Sequence, residues 1–300
     1  MIDVIHNPVA GPKVVNRIDR VRAYLSAHGL SFRIRETAAP GEAVVMAREA
    51  ALEGADAVVA VGGDGTMNEV ADGLAGSATR LVFVPHGTGN VFAREFSLPE
   101  SVEGCLDLLS SGKTISVRMA KANDRRFVLL ASAGFDAEVV ERMNPRQKNL
   151  LGIAAYALCG ARHLLRSHPT LWLEFPDRER VEAQAVLVVR GKKYGGNVTI
   201  APDGDIAGET LQVIALLRKG RWSIAKFALD ALRGKHAASP HVLVRESPSL
   251  FVRSTIPSAC QVDGEYLGPL PVRFTVTDAL LRVVVPTDFP APENPARALK

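Results

Sequence analysis

The first third of the chain alternates short apolar runs with segments whose apolar residues recur at helical spacing. MIDVIH opens as a strand, and NPVAG turns the chain through proline and glycine. Val15, Ile18, Val21 and Leu25 then share one helical face, stopped at Gly29. LSFRIRE predicts a second strand, AVVMAREALE a second helix, and DAVVAV a third strand that is apolar throughout. A strand with no polar side suits a parallel sheet covered by helices on both faces. MNEVADGL predicts the next helix, RLVFVP a fourth strand and SVEGCLDLLSSG a further helix. Beyond residue 118 the pattern changes: RRFVLLASAGF, TLWLEF, VEAQAVLVVRG, NVTIAP, ETLQVIALL, HVLVRE, SLFVRS, PVRFTVT and LLRVVVP are strand-like runs with few helices between them. That succession predicts an antiparallel sandwich or barrel. The expectation is an α/β domain with a parallel sheet over 1–118, a β-rich domain over 119–285, and a proline-rich end, 286–300, that is a tail or a clasp against the first. Two helical segments, 148–165 and WSIAKFALDALRG, interrupt the second domain and are expected to pack on its sheet, or, for the first, to line an apolar cleft.

Composition changes this picture little. A hydrophobic fraction of 47% and a charged fraction of 23% over 300 residues are those of a globular protein. No apolar run is long enough to span a membrane, and the N-terminus lacks the pattern of a secretory signal, so a cytoplasmic location is expected. Cys105, Cys159 and Cys260 are an odd number at wide spacing and read as reduced core residues. The net charge of +4 is compatible with a nucleotide substrate or an anionic membrane surface. Nucleic acid is not expected, since no binding module for it is present.

The chemistry gathers at the glycines. GGDGT follows the third strand, and Gly62, Gly63 and Gly65 can take positive φ there, while Thr66 can cap the following helix or bond phosphate. Asp64 is out of place beside phosphate unless it faces a cation, a water or a hydroxyl. HGTGN repeats the device after the fourth strand with Gly87, Thr88, Gly89 and Asn90, and NPVAG (Asn7 to Gly11) supplies a third turn. Three such turns on one edge of a parallel sheet point to ligand binding. The dinucleotide and P-loop glycine patterns are both absent. No lysine occupies these turns; His6, His86 and Arg94 are the nearest basic residues in sequence.

NPVAG, GGDGTMNE (Gly62 to Glu69) and PHGTGN (Pro85 to Asn90) together resemble the catalytic domain of the diacylglycerol kinase superfamily, especially the bacterial soluble lipid kinases. The likeness continues through FVLLASAGFDAEVV (Phe127 to Val140), through Lys148, Gly152 and Tyr156, through YGGNVTIAP (Tyr194 to Pro202) and through QVDGE (Gln261 to Glu265), and so spans nearly the whole chain. It implies an NAD kinase- and phosphofructokinase-like nucleotide-binding domain that the end of the chain, 286–300, completes, and a mainly antiparallel β-sandwich after it, with the lipid entering between the two. It also implies transfer of the γ-phosphoryl group of ATP to a lipid hydroxyl, with Mg²⁺, most directly diacylglycerol to phosphatidic acid. The nucleotide site it implies takes in Asn7, Gly11, Thr37, Gly62, Gly63, Asp64, Gly65, Thr66, Gly87, Thr88 and Asn90; the catalytic carboxylates are Asp263, as general base, and Glu265. Asp64 and Glu265 are the candidates to hold the metal. If the backbone is extended there, Asp263 and Glu265 share a face. Asn68 and Glu69 either join the site or only anchor the turn and its helix.

The expected partners are a lipid substrate, a transient contact with an anionic membrane and, compatibly, a second copy of the chain. Arg142, Arg146, Lys148, Arg190, Lys192 and Lys193 flank the lipid segments, as a solvated rim or as that membrane contact. The chain departs from the family at Arg118, where many relatives carry Asp, and at Gly208 and Glu209, where many carry an Asp-Gly pair of an accessory metal site that is therefore not expected here. The alternatives are an NAD kinase-like small-molecule kinase and a lipid-binding or regulatory protein without turnover.

Overall fold

A computed structural model describes residues 1–10, 17–87, 89–143, 159–164, 166, 168–195 and 198–290. The chain divides into two compact units, Met1–Met119 with the segment that begins at Asp278, and Ala120–Thr277.

The first unit runs β1 (Ile2–His6), α1 (Arg17–Ala27), β2 (Phe32–Glu36), α2 (Glu42–Leu52), β3 (Ala57–Gly62), α3 (Asp64–Leu74), β4 (Arg80–Pro85), α4 (Val91–Glu95) and α5 (Val102–Ser111). The strands lie in the order β2-β1-β3-β4, all parallel. Every residue of β1 and β3 is buried, which is why neither run shows alternation. The chain leaves β1 toward β2 on one side and returns to place β3 and β4 on the other. The carboxyl ends of β1 and β3 thus flank a topological switch point, where open α/β sheets bind ligands.

The helix after β3 begins at Asp64, three residues earlier than the glycines and Asp of the sequence suggest. Its first intrahelical bond runs from Met67 N to the Gly63 carbonyl. Gly65 and Thr66 therefore belong to a helical first turn and not to a preceding loop.

Through β5 (Lys113–Ala122) the chain enters the second unit. There follow β6 (Arg125–Phe127), β7 (Leu130–Gly134), α6 (Phe135–Glu141), β8 (Leu171–Glu174), β9 (Arg180–Ala183), β10 (Ala185–Val189), β11 (Lys193–Tyr194), β12 (Val198–Thr199) and β13 (Leu211–Leu216). After these come α7 (Arg221–Leu232), β14 (Val242–Ser247), β15 (Ser249–Ser254), β16 (Ala259–Val262), β17 (Glu265–Pro269) and β18 (Val272–Val285). One antiparallel sheet has the order β14-β13-β10-β7-β16-β17. Opposite it, the first residues of β18 pair with β15, β15 with β8 and β8 with β9, again antiparallel.

The two sheets enclose one core in which Ala131, Val186, Val213 and Val262 meet Leu173, Leu250, Val252 and Phe274. This is a β-sandwich, one of the two forms that the strand-like runs predict, and not a barrel. The other face of β10 and β13 is covered too, Leu187, Val189 and Ile214 packing with Ile200 and with Ala231 of α7. β18 ends in the first unit, where Arg282 and Val283 pair in parallel with Arg80 and Leu81. Beyond it Lys113 Nζ donates to the carbonyls of Thr287, at 2.9 Å, and Phe289, and the Phe289 ring lies 5.7 Å from that of Phe96.

Two expectations need correction or limitation. Arg190 is not part of a solvated basic rim: it is 1% exposed, and its guanidinium donates to the carbonyls of Ile206 at 3.0 Å, Gly208 at 2.8 Å and Thr210. The loop that carries Gly208 and Glu209 is tied to the strand end by this buried cation. Of the long apolar segment, residues 144–158, with Arg146, Lys148, Gly152 and Tyr156, lie outside the described residues, whereas 159–163 are helical.

Candidate active site

The glycines at the ends of β3 and β4 serve close packing, not unusual backbone angles. Gly62, Gly63 and Gly65 all have ordinary φ, with Gly63 at −86°, so the expectation of positive φ is wrong there. A Cβ on Gly62 would stand 2.6 Å from Thr66 Oγ1, and one on Gly87 would stand 3.1 Å from the Gly63 Cα. The turn after β3 and the turn after β4 thus nest backbone against backbone. The strained residue is Asn90, at φ 45°, whose side chain closes its own loop: Oδ1 accepts from Gly87 N at 3.0 Å and Nδ2 donates to the Gly87 carbonyl at 2.9 Å.

Thr66 does not cap α3. Its hydroxyl oxygen accepts from Asn7 Nδ2 at 3.0 Å, across the switch point, while Asn7 Oδ1 accepts from Val9 N at 3.1 Å and holds the first turn. Asp64 turns toward the third: its Oδ1 accepts from Phe92 N at 3.3 Å, and Oδ2 lies against Gly89. Glu69 anchors a different helix from its own, accepting from Gly41 N at 2.9 Å and Ala43 N at 3.2 Å at the start of α2, where negative charge also favours the helix dipole. Asn68 is buried in α3. Thr37 N donates to the His6 carbonyl at 2.9 Å, beside the first turn. Gly11 and Thr88 lie outside the described residues.

With the three turns fixed, the N–H groups of Gly65 and Thr66 precede the first intrahelical bond at a helix N-terminus, a ready site for an anion. Arg17, at the start of α1, supplies a cation that sequence inspection missed. Its Nη1 donates to the Pro85 carbonyl at 2.6 Å, at the end of β4, and its buried Nε has no hydrogen-bond partner among the described residues. The signal was slight: the first arginine of the helix that follows the first glycine turn. His86 is buried in the same neighbourhood, and burial, then the charges of Arg17 and His6, push its pKa below 6.5. His6 itself is paired with Glu36, at 3.2 Å. Arg94 lies in the last turn of α4.

In the second unit Asp263 and Gly264 are the two residues of the β16–β17 hairpin, with φ of 46° and 83°, the signs of a type I′ turn. They are not extended, so Asp263 and Glu265 do not share a strand face. The Asp263 carboxylate accepts from Val128 N at 2.8 Å, Leu129 N at 3.0 Å and Leu130 N at 2.9 Å. Glu265 accepts from Arg125 at 2.7 Å. Gln261 supports the hairpin from below: its Oε1 accepts from Gly264 N at 2.8 Å, and its Nε2 donates to Ser132 Oγ at 2.9 Å and Asp136 Oδ2 at 3.1 Å. The hydroxyl of Tyr194 completes this network on Asp136 Oδ1. Asp136 and Tyr194 stood inside segments noted in the sequence, but nothing in their spacing joined them.

A helix N-terminus and an arginine at one edge of a parallel α/β sheet, followed in the chain by a sandwich with a buttressed acidic hairpin, are parts that a phosphotransferase with a second, β domain would use. Comparison gives the family. Residues 2–122 match the diacylglycerol kinase catalytic domain, and residues 130–285 match the YegS C-terminal NAD kinase beta sandwich-like domain. The chain belongs to the bacterial diacylglycerol/lipid kinase superfamily, and it is an enzyme of the phosphotransferase class. It is 29% identical over 291 residues to the diacylglycerol kinase of Bacillus subtilis (strain 168), covering 95% of this chain and 96% of that one. It is also 29% identical over 292 residues to the diacylglycerol kinase of Staphylococcus haemolyticus (strain JCSC1435), covering 95% and 88%. The fold is shared with solved structures from Bacillus anthracis str. Sterne. One superposes with a TM-score of 0.78 at 21% identity over 96% of each chain. Another, of a diacylglycerol kinase, has a TM-score of 0.71 at 18% identity over 96% of this chain and 98% of that one.

Proposed function

We propose that the chain transfers the γ-phosphoryl group of ATP to a lipid hydroxyl, first among them the free hydroxyl of diacylglycerol, giving phosphatidic acid. The observation that carries this reading is the convergence, at the ends of β1, β3 and β4, of a helix N-terminus with a half-buried arginine whose Nε has no hydrogen-bond partner among the described residues. The N–H groups of Gly65 and Thr66 and the guanidinium of Arg17 bind phosphate oxygens, and Asn7, Thr66, Gly62, Gly63, Gly87 and Asn90 hold that surface in place. Phosphoryl transfer runs through a loose transition state and asks the protein mainly for position and charge. Asp263 orients the acceptor hydroxyl and receives its proton late, so a carboxylate held by three N–H groups suffices; Glu265, through Arg125, steadies the hairpin. Asp64 fits Mg²⁺ as a hard oxygen donor beside the phosphate edge, where nucleotide phosphates supply the other ligands; Glu265, already paired with Arg125, does not. When bound, the ion would offset phosphate charge.

No helix among the described residues is long and apolar enough to cross a membrane. For lipid access we propose a peripheral contact with an anionic bilayer through α7, which exposes Trp222 (80%), Leu229 (45%) and Leu232 (69%) beside Arg221, Arg233 and Lys235. Aromatic and apolar side chains among cations suit an anionic interface.

The test is transfer of label from γ-labelled ATP to diacylglycerol, sphingosine, ceramide, phosphatidylglycerol and NAD, each with Mg²⁺, the lipids in anionic mixed micelles. Labelled phosphatidic acid is expected. Labelling of another lipid would correct the substrate, labelling of NAD alone would move the chain to the small-molecule kinases, and none at all would overturn the reading.

A further inference from the structure

Among the described residues, one group of metal-ligating side chains stands apart from the phosphate edge and the hairpin. Glu138 on α6, His163 in the helical stretch 159–163 and His168 ahead of β8 each offer one ligand atom, all within 4.8 Å of one another. Glu138 Oε2 is 2.6 Å from His163 Nε2 and 3.1 Å from His168 Nδ1. The group is interior: the three side chains are 8%, 4% and 1% exposed. Ser258 donates to the other carboxylate oxygen, Oε1, at 3.0 Å, and the Phe135 ring packs on both imidazoles, at 5.6 and 5.2 Å.

His163 Nε2 and His168 Nδ1 converge on one oxygen of the Glu138 carboxylate, so the three ligand atoms gather about a common point. Nothing in the proposed phosphoryl transfer uses these residues. We propose that Glu138, His163 and His168 form a binding site for a divalent transition metal of the Zn²⁺ type. Ser258, which donates to the far oxygen of the carboxylate, orients it, and the fourth position is left to water or a small ligand.

The donor set supports this choice of metal. Two imidazole nitrogens and one carboxylate match zinc sites that keep one open position, and they disfavour Mg²⁺ and Ca²⁺, which take oxygen. Metal–ligand bonds of about 2.0–2.1 Å put tetrahedral ligand atoms roughly 3.3 Å apart, so the two carboxylate–imidazole spacings need widen by less than about 1 Å and the imidazole–imidazole spacing need close by no more than about 1.5 Å. A carboxylate hydrogen-bonded from behind is the usual outer-shell support of such a site. The metal would link α6, the 159–163 stretch and the segment leading to β8, with Ser258 extending the link to the start of β16.

The test uses untagged full-length protein stripped with chelator and titrated with Co²⁺ alone, then with Zn²⁺. One Co²⁺ per chain is expected, with visible d–d absorption of low-symmetry coordination that Zn²⁺ displaces and Mg²⁺ does not. At a hundredfold excess over its Kd, Zn²⁺ should raise Tm by about 5–10 °C. His168→Gln and His163→Gln should each abolish the band and the Tm shift. Wild-type protein with neither band nor shift overturns the site whatever the variants do. A band that survives both substitutions assigns the metal to other residues and overturns it equally.

Discussion

Asp263→Asn separates what the hairpin carboxylate does for the fold from what it does for the reaction. The turn itself tolerates the change, because asparagine occupies the left-handed region as readily as aspartate does. The loss falls on the three backbone donors, Val128, Leu129 and Leu130 N–H. With Oδ1 kept toward Leu129 and Leu130, the new amide nitrogen faces Val128 N–H, donor to donor. Two charge-assisted bonds become neutral, at about 1 kcal/mol each, and one buried N–H is left unpaired, at about 1–3 kcal/mol. The sum is roughly 3–5 kcal/mol, which corresponds to a fall in Tm of about 6–20 °C. Thermal unfolding followed by circular dichroism measures the first role. The initial rate of γ-phosphate transfer, taken well below the variant's Tm, measures the second, with a loss of about 100-fold expected for a proton acceptor. Unchanged Tm would refute the anchoring role, and a rate within a few-fold of wild type would refute the proton acceptor. Glu265→Gln is the contrast: the pair it breaks is about 40% exposed on both sides and is worth about 0–1 kcal/mol.

Other outcomes follow from the same geometry. Arg17→Met should raise the KM for ATP roughly 10- to 100-fold, the scale of one or two hydrogen bonds to charge, with the far-ultraviolet spectrum unchanged; a KM within twofold of wild type would place the phosphate cation elsewhere. His86 has its pKa pushed below 6.5 in the folded chain, so the unfolded chain takes up that proton first. Its contribution to stability is full above pH 6.5 and is lost as pH falls from 6.5 through the folded value. Urea unfolding between pH 5 and 8 should therefore fall off more steeply for wild type than for His86→Gln, and equal slopes would rule the effect out. Trp222→Ser should weaken sedimentation with anionic vesicles by about 3- to 10-fold while leaving ATP binding intact; unchanged sedimentation would remove α7 from the membrane contact.

The parts of the fold that could be read from sequence are those whose burial leaves no polar side. β1, β3, β10 and β13 are buried along their whole length; β3 and β10 are unbroken apolar runs, and β1 and β13 are interrupted only by the buried Asp3 and His6 and by the buried Gln212. The start of α3 could not be read that way, because two glycines and an aspartate are poor helix formers. Tertiary packing decides it: a Cβ at Gly73 of α3 would stand 2.4 Å from the Val44 carbonyl of α2, so this helix seats against its neighbour at a distance only glycine allows. Arg190 was misread because Lys192 and Lys193 follow it, although the five apolar residues before it already carry the strand into the core. Arg17 and the pair Asp136 with Tyr194 were hidden for a different reason. Each meets its partner across a long stretch of chain, Arg17 at Pro85 and Tyr194 at Asp136, and no spacing rule connects them.

The distribution of side chains at the phosphate edge has a chemical consequence. Asn7, Thr66 and Asn90 spend their hydrogen bonds on one another and on backbone, Asp64 reaches the start of α4, and Glu69 caps α2. The described side chains of Asn7, Asp64, Thr66 and Asn90 therefore hold the loops, and the proposed phosphate site relies on backbone N–H and the guanidinium of Arg17. Backbone donors fixed in advance lose little freedom on binding and keep their orientation as charge shifts during transfer. They also carry no information about what lies beyond the phosphates. Discrimination among acceptors has to come from side chains elsewhere, and the Asp136, Tyr194, Ser132 and Gln261 network that buttresses the Asp263 hairpin is a polar assembly of the second unit built to hold one geometry. Substitutions at the glycine turns should then act alike on every acceptor, whereas substitutions in this network should change the ranking of acceptors.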